Sequence, residues 1–133
     1  MIRYQNNLEN IVPENLEGFF VGWLTPPTPV KHLEILRGSS HVCLALEDER
    51  VVGFITAISD GVLSAYIPLL EVLPEFQSRG IGKELVRQTL EMLSNLYMID
   101  LLCDENVQGF YAKCGMLEGQ GMFIRNYKRQ SGE

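Results

Sequence analysis

Between residues 80 and 96 one face of the chain carries Ile81, Leu85, Val86, Thr89, Leu93 and Leu96, and the other Lys83, Glu84, Arg87, Gln88, Glu91 and Asn95. That spacing predicts an amphipathic helix. Upstream the pattern changes. Val42-Cys43-Leu44-Ala45-Leu46 and residues 51–58 are apolar runs on either side of Glu47-Asp48-Glu49-Arg50, which predicts a β-hairpin. Asp60-Gly61 marks a second turn into a long strand over 62–73. Pro68, in its middle, has no backbone donor, so a bulge or an unpaired side is expected there. Ile2–Gln5 is a short strand candidate. Residues 13–21 predict a helix with Pro13 in its first turn, interrupted by Pro26-Pro27-Thr28-Pro29; a second short helix over 30–36 ends at Gly38. Residues 97–103 predict a buried strand, 106–113 a short helix stopped by Gly115, and 121–127 a last strand. The order β-α-α-β-β-β-α-β-α-β predicts a mixed α/β sheet flanked by helices, rather than an all-parallel sheet.

Composition narrows the class. The 133 residues, 46% of them hydrophobic, predict a single domain over residues 1–133 with a real core. No run is long and apolar enough for a spanning helix, and the first residues lack a secretory signal pattern, so no membrane role is expected. Cys43, Cys103 and Cys114 lack metal-site or redox spacing, and His32 and His41 are too separated to suggest a metal; a reduced, cytoplasmic, metal-free protein is expected. Net charge is −6, which argues against nucleic acid as a partner. The charge is uneven: residues 1–78 hold 10 acids and 4 bases, and residues 79–133 hold 7 of each. An anionic ligand should therefore prefer the second part and a cationic one the first.

The segment Leu70-Glu71-Val72-Leu73-Pro74-Glu75-Phe76-Gln77-Ser78-Arg79-Gly80-Ile81-Gly82-Lys83 ends a strand, turns, and opens a helix with two glycines. Helix N-termini expose unpaired N–H groups and partial positive charge, and glycines let a ligand approach the backbone. The turn suits a pyrophosphate, with Arg79 and Lys83 adding full charges. The G-x-x-x-x-G-K-[ST] phosphate loop is absent, and G-x-G-x-x-G fails at Leu85. Taken alone, the two glycines could equally serve a tight, well-packed turn.

Val72-x-Pro74-Glu75-Phe76-Gln77-x-Arg79-Gly80-x-Gly82 resembles the acyl-CoA signature of the GCN5-related N-acetyltransferases, the GNAT superfamily. Asp104-Glu105-Asn106-x-x-x-Phe110-Tyr111-Ala112-Lys113-Cys114-Gly115-Met116 resembles that family's second motif. The resemblance covers residues 42–127 and is weak over 1–40. It implies acetyl-CoA as co-substrate. The main chain of Leu70, Glu71 and Val72 would pair with the pantetheine arm. Ser78, Arg79, Gly80, Ile81, Gly82 and Lys83 would wrap the pyrophosphate, and Tyr111 would protonate the departing thiolate. Asp104 stands where most members have asparagine; an ionised carboxylate accepts hydrogen bonds but cannot donate one. Met116 replaces the usual phenylalanine. Residues 59–62 and 119–123 look like the arylalkylamine branch of the superfamily.

Acetyl transfer to a primary amine needs a base, because an amine with a pKa near ~10.4 is almost wholly protonated at pH 7. Glu71 is the foremost candidate, against a bland alternative in which it is a solvated residue on the far face of its strand; Asp60 and Glu75 follow. The Val72 N–H is the candidate for polarising the thioester oxygen. Tyr111 could instead be a packed helix aromatic, Cys114 has no neighbouring histidine to activate it as a nucleophile, and Phe19, Phe20 and Trp23 suit a core better than a substrate box. The expected function is acetyl-CoA-dependent N-acetylation of a small cationic amine by direct attack. A protein N-terminal or lysine acetyltransferase, and a non-catalytic acyl-CoA-binding module, are the alternatives, and a homodimer is an open one.

Overall fold

The computed structural model describes residues 1–133. The sheet is built on two antiparallel neighbours, β2 (His41–Glu47) and β3 (Arg50–Ser59), joined by a turn in which Asp48 takes a left-handed φ of 54°. β1 (Ile2–Gln5) pairs antiparallel with β2, and α1 (Pro29–Gly38) precedes that strand. Thr28 caps α1 by accepting the Lys31 N–H, and Pro29 occupies its first turn, where a missing donor costs nothing. α2 (Ile81–Met92) follows the predicted stripe, with Ile81, Leu85, Val86 and Thr89 buried against β2 and β3. Gly53 on β3 admits this helix: a Cβ there would stand 3.2 Å from Leu85 and 3.3 Å from Ile81. A cluster of 24 buried apolar residues forms the core between sheet and helices.

The expected long strand over 62–73 is two strands. β4 (Ser64–Tyr66) pairs with the end of β3 at Ile58 and Ser59, and on its other edge runs parallel to β6 (Met98–Asp100). β5 (Leu70–Val72) pairs with β3 at Gly53–Ile55 and with no other strand. Pro68 lies at the break, as its missing N–H requires. The last β4–β6 bond, Ile67 N–H to the Asp100 carbonyl at 2.9 Å, closes the parallel pair; beyond it no main-chain bond joins β5 to residues 101–103.

Three expectations need correction. Residues 13–21 form only a 3-10 turn at Pro13–Leu16, because left-handed Gly18, Phe20 and Gly22 turn the chain repeatedly where a helix would continue. β6 is shorter than 97–103 and is not buried: Tyr97 is 82% exposed and Met98 39%, since no strand covers its outer edge. Residues 121–127 make no strand, and a single 3-10 turn follows at Tyr127–Arg129. α3 (Gln108–Lys113) is preceded by a 3-10 turn at Glu105–Val107 and stopped by Gly115 at φ 94°.

His32 carries a pH consequence. It is buried between Phe54 (centroids 4.3 Å apart), Phe20 (4.9 Å) and Phe19 (5.3 Å), and neither ring nitrogen has a partner. Burial pulls its pKa from 6.5 down to about 4. The unfolded chain therefore takes up a proton near pH 6.5 that the native state refuses until about pH 4. Unfolding free energy should fall on the order of 3 kcal/mol between those values and level off below them. Denaturant titrations at stepped pH should show that slope in the wild type and a flattened one in His32→Leu.

Candidate active site

Because β5 pairs with β3 alone, its other edge is open. Thr56 N–H donates to the Leu69 carbonyl at 3.0 Å and Leu73 N–H to the Val52 carbonyl at 2.8 Å. Antiparallel pairing alternates, so this register turns the main chain of Glu71 toward Phe54 on β3 and that of Leu70 and Val72 outward. The sequence reading placed all three on the ligand; the register leaves Leu70 and Val72. The outward Val72 carbonyl already accepts the Gln77 side chain at 3.0 Å, while its N–H remains open.

Past β5 the chain makes a 3-10 turn at Pro74–Phe76 and enters α2 through Ser78 (φ 64°) and Gly80 (φ 80°). Two left-handed residues this close fold the backbone into a concave turn whose N–H groups converge, the geometry that holds anions. Main-chain donation skips from Gln77, bonded to Pro74, to Glu84, bonded to Gly80: none of the N–H groups of Ser78, Arg79, Gly80, Ile81, Gly82 and Lys83 meets a protein acceptor. Nothing lies within 4 Å of where a Gly80 Cβ would stand. These open donors fit a pyrophosphate. Lys83, Arg87 and Lys113 line a recess of about 450 Å³ beside them. Lys113 comes from α3, and sequence reasoning missed it, since only the fold brings it beside α2. Arg87 is held by Glu84 and Glu91, each at 2.8 Å; the Arg87 bond, with one from the Gln88 side chain at 2.7 Å, pulls the Glu84 carboxyl down to about 2. Arg79 is also committed: it donates to the Glu75 carbonyl at 3.1 Å and stacks 5.0 Å over Phe76, so its charge lies at the side of the turn.

The second motif meets the first through Phe110. A Cβ on Gly82 would stand 3.5 Å from the Phe110 ring, which packs edge-on against Tyr111 with centroids 5.0 Å apart. Tyr111 is half-buried and lines a cleft of about 600 Å³ with Tyr66, residues 99–103 and residues 116–123. Burial foremost, with Cys103 and Cys114 adding to it, pushes its hydroxyl up to about 12. The proton therefore stays on the oxygen throughout the neutral range. Burial likewise pushes the Cys114 thiol upward, against a smaller opposing effect of Lys83, which keeps it a poor nucleophile. Asp104 is exposed at the start of the 3-10 turn before α3; its carbonyl accepts the Val107 N–H while its side chain caps nothing.

On the other side of β5 a second cleft, about 430 Å³, is lined by Phe20, Val21, Trp23, Phe54, Pro68, Leu69, Leu70, Glu71, Val72, Pro74 and Gln77. Glu71 stands in its wall. One carboxylate oxygen accepts the Phe20 N–H at 2.8 Å and the other the Val21 N–H at 3.2 Å, so Glu71 anchors the loop that carries the aromatic rings. That anchor holds Phe20 at its unfavourable φ of 63°. Phe19 and Phe20 are core, as expected, but Trp23 is 38% exposed on the cleft wall. Asp60 is taken up elsewhere: its carboxylate caps the N–H groups of Val62 and Leu63 (2.8 Å each) and Ser64 (3.2 Å), bonds that pull it down to about 2. Glu75 pairs with Arg50 at 3.0 Å.

Residues 8–116 match the Acetyltransferase (GNAT) family. The chain is 45% identical to a protein of Deinococcus radiodurans R1 assigned to the acetyltransferases; the match covers 98% of this chain and 92% of that one, with a TM-score of 0.95. It is 31% identical over 133 residues to the uncharacterized N-acetyltransferase ycf52 of Porphyra purpurea, covering 90% of this chain and 75% of the relative. It is 30% identical over 132 residues to GCN5-related N-acetyltransferase 1, chloroplastic, of Arabidopsis thaliana, covering 92% and 67%. With the split sheet, the open β5 edge and the unpaired N–H turn before α2, these similarities identify the chain as an acyltransferase that belongs to the GNAT acetyltransferase family.

Proposed function

We propose that the chain transfers an acetyl group from acetyl-CoA to a small cationic primary amine by direct attack. The observation that carries this reading is the open edge of β5, with an unpaired anion-binding turn at one end and a carboxylate-bearing aromatic cleft beside it. Bound acetyl-CoA would supply an acetyl group activated as a thioester. The open main chain of Leu70 and Val72 would hold the pantetheine arm as a further strand. The N–H groups of Ser78 through Lys83 would hold the pyrophosphate, with Lys83 and Lys113 beside it. The Val72 N–H is free to point at the carbonyl oxygen, and Tyr111 keeps a proton for the departing thiolate. Asp104, exposed ahead of α3, sits where it could only accept a bond from the ligand.

Glu71 fits the base. Its two backbone bonds occupy one lone pair on each oxygen, which leaves acceptor capacity for an ammonium or an intervening water. Trp23, exposed on the cleft wall, adds an aromatic ring that favours a cation. A recess of this size suits a small amine better than a peptide. A panel of small amines and peptides assayed for CoA release should therefore show turnover with the amines; turnover confined to peptides would favour the protein-acetylating alternative. Glu71→Gln should slow the reaction most at low pH and partly recover toward pH 9.5 as free amine accumulates. Parallel pH–rate profiles for the two proteins would move the base elsewhere.

A further inference from the structure

Residues 18–27 belong to no helix or strand, and they carry Trp23 onto the wall of the Glu71 cleft. Three hydrogen bonds tie them to the rest of the chain, all donated by their own main chain. Glu71 accepts two, from Phe20 and Val21. The Gln130 side chain accepts the third, from the Thr25 N–H, at 2.9 Å. Trp23 lies between these two grips. Its N–H donates back to the Phe20 carbonyl at 3.2 Å, and its ring centroid is 4.9 Å from that of Phe20. Every residue from Val21 to Pro26 is exposed, so no buried side chain anchors the stretch beyond Phe20. A segment with so few ties to the core is free to open locally, and each tie counts.

Gln130 is itself fixed. Its N–H donates to the Tyr127 carbonyl at 3.3 Å, and Gly132 N–H donates to the Arg129 carbonyl at 3.0 Å, so the side chain leaves a closed turn. Gly132, at φ 83°, lies over the stem of Lys31 in α1, where a Cβ would stand 3.5 Å from the Lys31 Cγ. The turn thus rests on α1 and reaches the loop through one carboxamide oxygen. Taking the amine acetylation proposed above as the reaction, we propose that Gln130 is a specificity-determining positioning residue. By holding Thr25 it keeps Trp23 on the cleft wall, where the ring packs against the acceptor. Glu71 is the single charged residue lining that cleft, so it meets one ammonium and leaves the acceptor's remaining atoms to apolar walls. Phe54, Leu70 and Val72 are set there by β3 and β5; Trp23 is set by its loop alone. Gln130 lines no part of the cleft and acts through Trp23.

Trp23 is the one tryptophan in the chain, so its emission reports the loop directly. In Gln130→Leu that emission should move to longer wavelength and become easier to quench with acrylamide. KM for 2-phenylethylamine should rise about two- to tenfold, the range that one hydrogen bond supplies, and KM for ethylamine, which has no ring to set against Trp23, by a smaller factor. kcat and the dissociation constant for acetyl-CoA should stay near their wild-type values. Gln130→Glu keeps an acceptor oxygen and should restore both emission and KM. Gln130→Ala adds no apolar surface and should repeat the Leu result, which covers the case in which Leu disturbs folding. Unchanged Trp23 emission and quenching in both Leu and Ala variants would overturn the proposal. So would an equal KM rise for the two amines, a loss confined to kcat, or a Glu variant no better than Leu. Should neither amine be acetylated, the proposed reaction fails separately, and the emission of Trp23 in the free protein still decides the grip of Gln130.

Discussion

Tyr111→Phe should lower turnover by about 10²-fold, with the dissociation constant for acetyl-CoA nearly unchanged. That is the lower end of the ~10²–10⁴ typical of general acid–base groups, and the reason lies in the site. A hydroxyl at about 12 is a weaker acid than a thiol near ~8.5, so complete transfer of its proton to a thiolate is uphill. Tyr111 is better suited to donating a strong hydrogen bond to the sulfur as charge develops, and bonds to charged groups contribute ~1.5–3 kcal/mol. The same raised value means that no alkaline limb below about pH 11 should come from Tyr111. Turnover measured from pH 6 to 10, with calorimetric titration of acetyl-CoA into both proteins, checks each part. Full activity in the variant at neutral pH would mean that the thiolate leaves unassisted or that another donor serves.

Acetyl-CoA should raise the melting temperature of the wild type, and Gly82→Glu should abolish that rise. A ligand that binds only the native state stabilises by about 2.7 kcal/mol at a hundredfold its dissociation constant. Position 82 lies in the first turn of α2, where the N–H groups have no acceptors and where a Cβ meets only the Phe110 ring and Val72 at ordinary contact distances. The helix therefore tolerates the side chain, and replacing a helical glycine favours the fold by roughly 0.5–1 kcal/mol. The carboxylate, however, would bring bulk and negative charge to the mouth of the anion-binding turn. The variant should melt no lower than the wild type while losing the ligand shift. An unchanged shift would remove this turn from the site.

The parts of the fold legible in the sequence were those whose side chains answer to one local environment. α2 has a single buried stripe and a solvated one, and its periodicity marks it plainly. The β2–β3 hairpin is two apolar runs around a polar turn, and Pro68 announces the break that separates β4 from β5. What failed depended on distant partners. Residues 13–21 look helical, yet the chain turns left-handed at Phe20 because Glu71, 51 positions away, accepts its N–H. Residues 121–127 carry strand-like content, but strands need a neighbour, and the single chain leaves them unpaired. The site divides the same way. Its glycine turn and Phe110-Tyr111 pair are local signals. The Gly82–Phe110 contact, Lys113 beside Lys83, and the double grip of Glu71 on the aromatic loop exist only once the chain is folded.

We propose direct acetyl transfer from acetyl-CoA to an amine at the open edge of β5. The most direct test is to incubate the wild-type protein with isotope-labelled acetyl-CoA and a small cationic primary amine, and to count both products by mass spectrometry. One N-acetylated amine should appear for every CoA released, with release dependent on the amine and no label retained on Cys114 or any other residue. CoA release that is independent of the amine, a labelled acetyl-protein formed on the way, or no turnover with any amine would contradict it.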